Sequence, residues 1–424
     1  MIRHQHHRLT KQMAGDMSVI KSSAFQLLSN PQLDRSVSYD REGRTDILSD
    51  TAFQVARREI MSWPGYSETP LRKLPKLARA LGVKQIIYKD EGERFGLGSF
   101  KALGGAYAVF RLLQQELKQR KGVTVHSKDL LSKLFSETTS EITVTCATDG
   151  NHGRSVAWGA QKFGCPCVIY VHAGVSEARC RAIAAYGAEV RRISGNYDDA
   201  VRQAASDAAK HGWHVVSDTS YEGYLSVPRD VMQGYSIMVD EALSQLQEKP
   251  THVFVQGGVG GLAAAVCSHL WQRYGEQRPK YIVVEPDKAD CLYRSAAAGQ
   301  PTVVHGALDT IMAGLACGEV SLLAWKILQP GADAFMTITD DAAAEAMCIL
   351  ADARFGDEPV VAGESAVAGL AGLALAASDA GSRASLSLGP DSVVLLFGTE
   401  GATDPEVYQR IVGRSADVVK AAAA

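Results

Sequence analysis

The sequence predicts an α/β fold of parallel sheets covered by helices on both faces. Three observations carry that reading. From about residue 50, short β-branched runs alternate with longer alanine-rich amphipathic runs, the signature of strand–helix–strand units whose sheet is buried on both sides. A length of 424 residues gives room for a large core and for two or three domains. Apolar residues at 46% and charged residues at 21% are the proportions of a soluble globular protein.

Taken in order, residues 1–45 lack sustained periodicity and read as a tail with a short helix at most. Strand candidates are Gln85–Lys89, Ile142–Ala147, Cys167–Val171, Glu189–Ile193, His214–Ser217, His252–Gln256, Tyr281–Glu285 and Ser392–Phe397. Helices are expected between most of them, among others Arg154–Phe163, Glu177–Ala185, Tyr197–His211, Gly261–Tyr274, Asp340–Phe355 and Ser365–Ser378. Residues 120–141 interrupt the pattern. They are polar, with clusters at His126–Asp129 and Ser136–Ser140, and predict a surface connection with a helical turn. Residues 379–391, rich in Ser and Gly, predict a second loop, and the closing Lys420-Ala-Ala-Ala-Ala run a frayed end.

Composition narrows the function. A net charge of −3 offers no basic surface, so no nucleic-acid partner is expected. The most apolar stretch, Ala366–Ala377, is about a dozen residues long, short of the roughly 20 that a membrane span needs. His4, His6, His7, Arg8 and Lys11 have no apolar stretch behind them, so no secretory leader is expected. Eight cysteines scattered between Cys146 and Cys348 suit a reducing compartment better than a disulfide scaffold. Cys165-Pro166-Cys167 has no second pair at a zinc-ligand spacing, so no metal site is expected. A cytoplasmic location follows.

Three segments carry chemistry. Lys101 lies in the small, apolar stretch Phe95–Ala106, which holds no other charged residue. Burial there disfavours the ammonium and lowers its pKa, as an amine that attacks a carbonyl requires. A stem laid along a helix with its tip in water is the plainer alternative. The second segment, Thr145–Ser155, opens a helix with Asp149 or Asn151 as its cap. The third runs from strand His252–Gln256 into Gly257-Gly258-Val259-Gly260-Gly261 and then a helix. Backbone N–H groups and the helix dipole hold an anion in such a turn, and glycine lets the backbone approach a phosphate with no Cβ in the way. The same loop satisfies G-x-G-x-x-A, and the next strand ends at Glu285, so a dinucleotide site with Glu285 on a ribose hydroxyl competes. Two facts favour a single phosphate: the loop lies past mid-chain, and a dinucleotide leaves Lys101 unexplained. Gly363-Glu364-Ser365 has Val367 where a hydrolase elbow needs glycine, which rejects a serine hydrolase.

A secluded lysine, a strand-end Asp-Gly-Asn-His-Gly and a glycine cradle, in that order, resemble the fold-type II pyridoxal-phosphate enzymes, the group of threonine dehydratase, serine racemase and the tryptophan synthase β chain. Within the group the chain looks most like the diaminopropionate ammonia-lyases. The matching segments are Arg94–Lys101, Thr148–Arg154, Asp218–Tyr224, Met232–Tyr235, Val284–Cys291, Ile311–Glu319, Gly363–Ser365 and Thr399–Gly401.

The resemblance implies two open, twisted, mostly parallel sheets, in a large domain (46–113 with 221–424) and a small mobile domain (114–220), with pyridoxal 5'-phosphate in the cleft between them. Lys101 would carry the cofactor. Phe100 and Asn151 would sit at its ring, Asn151 donating to the phenolic oxygen. Gly257, Gly258, Val259, Gly260 and Gly261 would bind its phosphate, and Thr399 would face the pyridine nitrogen. The implied reaction is α,β-elimination of D- and L-2,3-diaminopropionate to pyruvate and ammonia. Asp149, where the dehydratases usually have serine, would take the Cα proton of the D-isomer and Lys101 that of the L-isomer. Asp218 would add a second carboxylate for the substrate's β-ammonium. A serine or threonine dehydratase-like ammonia-lyase is the alternative. Glu285 and Glu364 are expected to be structural, Cys291 and Cys317 to be free thiols at the site entrance, and the chain to form a homodimer.

Overall fold

Eleven strands sort into two sheets among the residues that this computed structural model describes, 19–20, 23–148 and 150–423. They are β1 (Phe25–Ser29), β2 (Leu71–Lys73), β3 (Gln85–Asp90), β4 (Val144–Ala147), β5 (Cys167–Val171), β6 (Glu189–Arg192), β7 (His214–Val215), β8 (His252–Gln256), β9 (Lys280–Pro286), β10 (Ala334–Ile338) and β11 (Val393–Gly398). The larger sheet has the order β1-β10-β9-β8-β11-β3-β2 and the smaller β6-β5-β4-β7. Every pairing is parallel except those of the edge strands β1 and β2. The inner strands β8 and β11 are buried along their whole length, which is why they read as unbroken apolar runs. No helix among the described residues is long and apolar enough to cross a membrane.

Three strands escape the sequence reading, and each for a reason. β10, Ala-Phe-Met-Thr-Ile, keeps its β-branched residues to its last two positions, β2 has only three residues, and β1 lies in the region read as tail. That reading is corrected from residue 25 onward; residues 1–18 lie outside the described ones. β1 adds an antiparallel edge from Phe25↔Ile338 to Ser29↔Ala334. Arg35 then grips Asp333 at 2.7 and 2.8 Å, and buried Arg44 lies 5.1 Å from the Trp271 ring centroid. Tertiary contacts, not local periodicity, order this segment. Residues 379–391 are likewise not all loop: Asp379 caps a helix, Ala380–Leu386. The 120–141 connection holds two short helices, Ser127–Leu131 and Ser136–Thr139. Glu59 anchors the first by accepting from Ser127 N at 2.9 Å and Ser127 Oγ at 2.6 Å.

Strand ends place the chemistry. β4 leads to Thr148, β7 to Asp218, β8 to Gly257 and β11 to Thr399, so these groups leave their sheets at carboxyl ends, where open parallel sheets bind ligands. β3 leads to the segment before Lys101, which a buried ion network fixes. Arg94 lies 2.7 Å from both Glu91 and Glu241, and Lys89 lies 2.8 Å from Glu241.

The Lys101–Lys121 helix then packs against the Asn151–Phe163 and Ser226–Gln245 helices. Glycine permits the approach at each contact. A Cβ on Gly159 would lie 2.7 Å from Ala106 Cα, and one on Gly104 would lie 2.7 Å from Val231 O. Gly105 abuts Ser155, and Gly234 abuts the Leu103 carbonyl.

Candidate active site

Lys101 opens its helix, and its Nζ donates to Asp218 Oδ2 at 2.6 Å. Both side chains are largely but not wholly covered, at 20% and 18% exposure, so neither expected extreme holds. Burial works to lower the lysine pKa, but the Asp218 carboxylate outweighs it and raises the value above its ordinary one. The expectation of a lowered lysine pKa is therefore corrected: the sequence showed the apolar stretch but not the distant aspartate. Burial opposes ionisation of Asp218, and the Lys101 ammonium overcomes that and holds its pKa below the ordinary value. His152 Nε2 bonds the Val216 carbonyl at 2.8 Å, while its Nδ1, 3.8 Å from Asp218, has no hydrogen-bond partner. Burial lowers the His152 pKa, so this ring stands neutral beside the ion pair.

The helix cap differs from expectation. The Asn151–Phe163 helix starts after Gly150 with no capping side chain at that position. Thr148 Oγ1 accepts from the N–H groups of Gly150 and Gly153 at 3.0 Å instead. Asn151 is the first helical residue, and its Nδ2 donates to Glu400. Glu400 also accepts from Ser365 N at 3.1 Å and from Thr403 Oγ1 at 3.2 Å. Asp149 lies outside the described residues.

The glycine loop sits at the start of the Gly261–Tyr274 helix, where Gly260 has a φ of +96°. First-turn N–H groups lack intrahelical acceptors, and no capping side chain serves them here. A Cβ on Gly258 would lie 3.2 Å from Gly314 O, and one on Gly257 2.7 Å from Val283 Cγ1. Ser321 N donates to Val259 O at 2.8 Å and pins the loop's middle. The main chain of Asp218 borders it, 3.7 Å from where a Gly261 Cβ would stand.

Thr399 is tied to the lysine segment by Phe100 N donating to Thr399 O at 3.0 Å. Gln256 Nε2 donates both to Phe397 O at 2.8 Å and to Thr399 Oγ1 at 2.6 Å. A carbonyl can only accept, so the amide orientation is fixed, Thr399 accepts, and its own O–H proton is free to donate elsewhere. The Phe100 ring centroid is 5.5 Å from Lys101 Nζ.

The rival loop reading fails at Glu285. That carboxylate is fully buried and accepts from Leu292 N at 2.9 Å and Tyr293 N at 2.7 Å, the start of the Cys291–Ala298 helix. It cannot reach a ribose. Glu364 is buried against Arg179. Cys291 and Cys317 are not joined in a disulfide, and Cys291 Sγ lies 3.5 Å from Gly258 O.

The structure thus brings Lys101, Phe100, Asp218, Thr399 and the glycine loop to one cleft. The sequence reading assigned no part to Thr148, His152, Gln256, Glu400 or Tyr235. Most stand inside the recognised segments, and Gln256 directly precedes the glycines. That adjacency was the available signal.

The family model for pyridoxal-phosphate dependent enzymes matches residues 62–398. The chain belongs to that family. Its cofactor is pyridoxal 5'-phosphate, and the residues present fit it: a largely covered amine, a loop of four glycines around Val259 at a helix start with uncapped N–H groups, and a hydroxyl with a spare proton.

This pyridoxal-phosphate enzyme is 43% identical over 373 residues to the diaminopropionate ammonia-lyase of Escherichia coli (strain K12), covering 86% of this chain and 92% of the relative. It is also similar to the holo diaminopropionate ammonia lyase crystal structure from Escherichia coli, with a TM-score of 0.84 and 39% identity over 93% of this chain and 97% of that one. The same enzyme in complex with an aminoacrylate-PLP azomethine reaction intermediate gives 0.82 and 38%, over 93% and 98%.

Proposed function

We propose that this enzyme eliminates ammonia from D- and L-2,3-diaminopropionate, which with one water gives pyruvate and two ammonia. The observation that carries the reading is the 2.6 Å Lys101–Asp218 pair beside a glycine cradle. Identity to diaminopropionate ammonia-lyases across most of the chain supports the substrate, and the aminoacrylate complex of the Escherichia coli enzyme supports the reaction class.

When bound, pyridoxal phosphate supplies an electron-accepting ring that stabilises negative charge at the substrate Cα. The chain's residues do the rest. Gly257 to Gly261 and the first turn after them hold the phosphate. Thr399, directed by Gln256, donates its proton to the pyridine nitrogen without ionising it. A neutral hydroxyl at Thr399 would leave that nitrogen unprotonated, which suits prompt loss of the β-amino group over transamination. Asn151, held by Glu400, donates to the phenolic oxygen with its remaining N–H. Lys101 Nζ takes the Cα proton from the L-isomer and Asp149 from the opposite face for the D-isomer. Asp218 stays ionised beside the β-position, attracts the substrate's β-ammonium and relays a proton between Lys101 and departing ammonia. Residues 114–220 move as a small domain against 46–113 with 221–424, and the protein works as a cytoplasmic homodimer.

The test pairs a variant with a substrate panel. Lys101→Ala should lose both the visible absorption of lysine-bound cofactor and pyruvate release. Turnover of D- and L-diaminopropionate should exceed that of D- and L-serine and of threonine. Faster release from a hydroxyl substrate would move the enzyme to the dehydratases.

A further inference from the structure

Tyr235 stands behind the lysine, on the Ser226–Gln245 helix. Its ring centroid is 5.7 Å from Lys101 Nζ and 4.6 Å from that of Phe100. The side chain is 1% exposed, and its hydroxyl is buried without a hydrogen-bond partner in this structure. Burial keeps the phenol protonated. Gly104 makes room for the ring, since any Cβ there would collide with it. An unpaired buried hydroxyl costs stability that phenylalanine would not. The ring thus stands beside the reactive amine and carries a hydroxyl with capacity to spare.

The amine has a matching need. Bound to Asp218 alone, an uncharged Lys101 can still turn about its last carbon–nitrogen bond. It has two N–H bonds and one lone pair, and only the lone pair does chemistry. We propose that Tyr235 is the positioning residue for this amine: one N–H goes to Asp218 Oδ2, the other to Tyr235 Oη, and the lone pair is left facing the cleft. In the elimination that lone pair forms the new N–H bond, while the electron pair of the broken Cα–H bond stays on carbon. The proposal rests on Lys101 being the reactive amine, not on the identity of the substrate.

Capture of the cofactor tests it without turnover. In that step Lys101 first yields a proton to Asp218, then its lone pair attacks the aldehyde carbon, the carbon–nitrogen double bond forms and one water leaves. Apoprotein of wild type and of Tyr235→Phe is mixed with pyridoxal 5'-phosphate, and the rise in visible absorption is followed. Borohydride reduction and peptide mass locate the product on Lys101. A lost hydrogen bond of ordinary strength should slow capture about five- to tenfold. The affinity for 4'-deoxypyridoxine 5'-phosphate, which has no aldehyde, should stay within about twofold, and the melting temperature should not fall. Equal capture rates overturn the proposal. So does a slowed capture with an equally weakened affinity for the deoxy analogue, which would make Tyr235 a wall of the site. If Tyr235→Phe does not fold, Tyr235→Leu carries the same two measurements. Wild type that captures the cofactor on Lys101 yet releases no pyruvate from diaminopropionate refutes the substrate assignment and leaves the capture comparison decisive for Tyr235.

Discussion

Replacing Glu364 by glutamine should change how the stability of the enzyme depends on pH. The carboxyl is 2% exposed. Burial first, and then the Glu400 carboxylate, raise its pKa from an ordinary 4.5 to about 7, against the pull of Arg179, whose Nη2 is 3.0 Å away. A group whose folded pKa exceeds its unfolded one favours folding while protonated. That contribution is whole below pH 4.5 and is lost as pH rises through 7. At 1.36 kcal/mol per pH unit the loss is about 3 kcal/mol by pH 8. With an unfolding entropy of about 2 cal/mol/K per residue, a chain of this length loses about 3 °C of melting temperature. Glu364→Gln cannot ionise and keeps an oxygen for Arg179. Melting curves of both proteins between pH 5 and 8 should nearly coincide at the acid end and separate at the basic end, the variant melting higher. Parallel pH profiles would refute the reasoning.

Two further substitutions test the segments on either side of the lysine and the phosphate. Arg94→Met takes the guanidinium from Glu91 and leaves Glu241 paired with Lys89; chemical denaturation should show a loss of about 3–5 kcal/mol. Gly258→Ala puts a methyl 3.2 Å from Gly314 O and 3.4 Å from Cys317 Sγ. Cofactor titration should give about tenfold weaker binding, or 1.4 kcal/mol, and unchanged affinity would show that the loop has slack.

Much of the frame was legible because it is local. β5 and β8 and the Tyr197–His211 and Gly261–Tyr274 helices fall where the alternation of apolar runs places them. The glycine loop, Lys101 and Asp218 stand in motifs whose order identified their family. What stayed hidden is set by distant pairing. β1 and β10 order each other across about 300 residues, which no window of periodicity spans. The charge state of Lys101 depends on Asp218, 117 positions away. Thr148 accepts from the N–H groups of Gly150 and Gly153, and Asn151, expected as a cap, is the first helical residue instead, drawn to Glu400 from the far sheet. Tyr235 stands in a recognised segment, and its place beside Lys101 is a tertiary contact across 134 positions.

The three helices that meet at glycine have a consequence for how the reactive nitrogen is held in place. Its strictest restraint is made of missing atoms: without β-carbons at four positions, three rods nest at backbone radius and leave no slack. A β-carbon added at any of the four would therefore push the helix that begins at Lys101 away from its neighbours and move the amine with it.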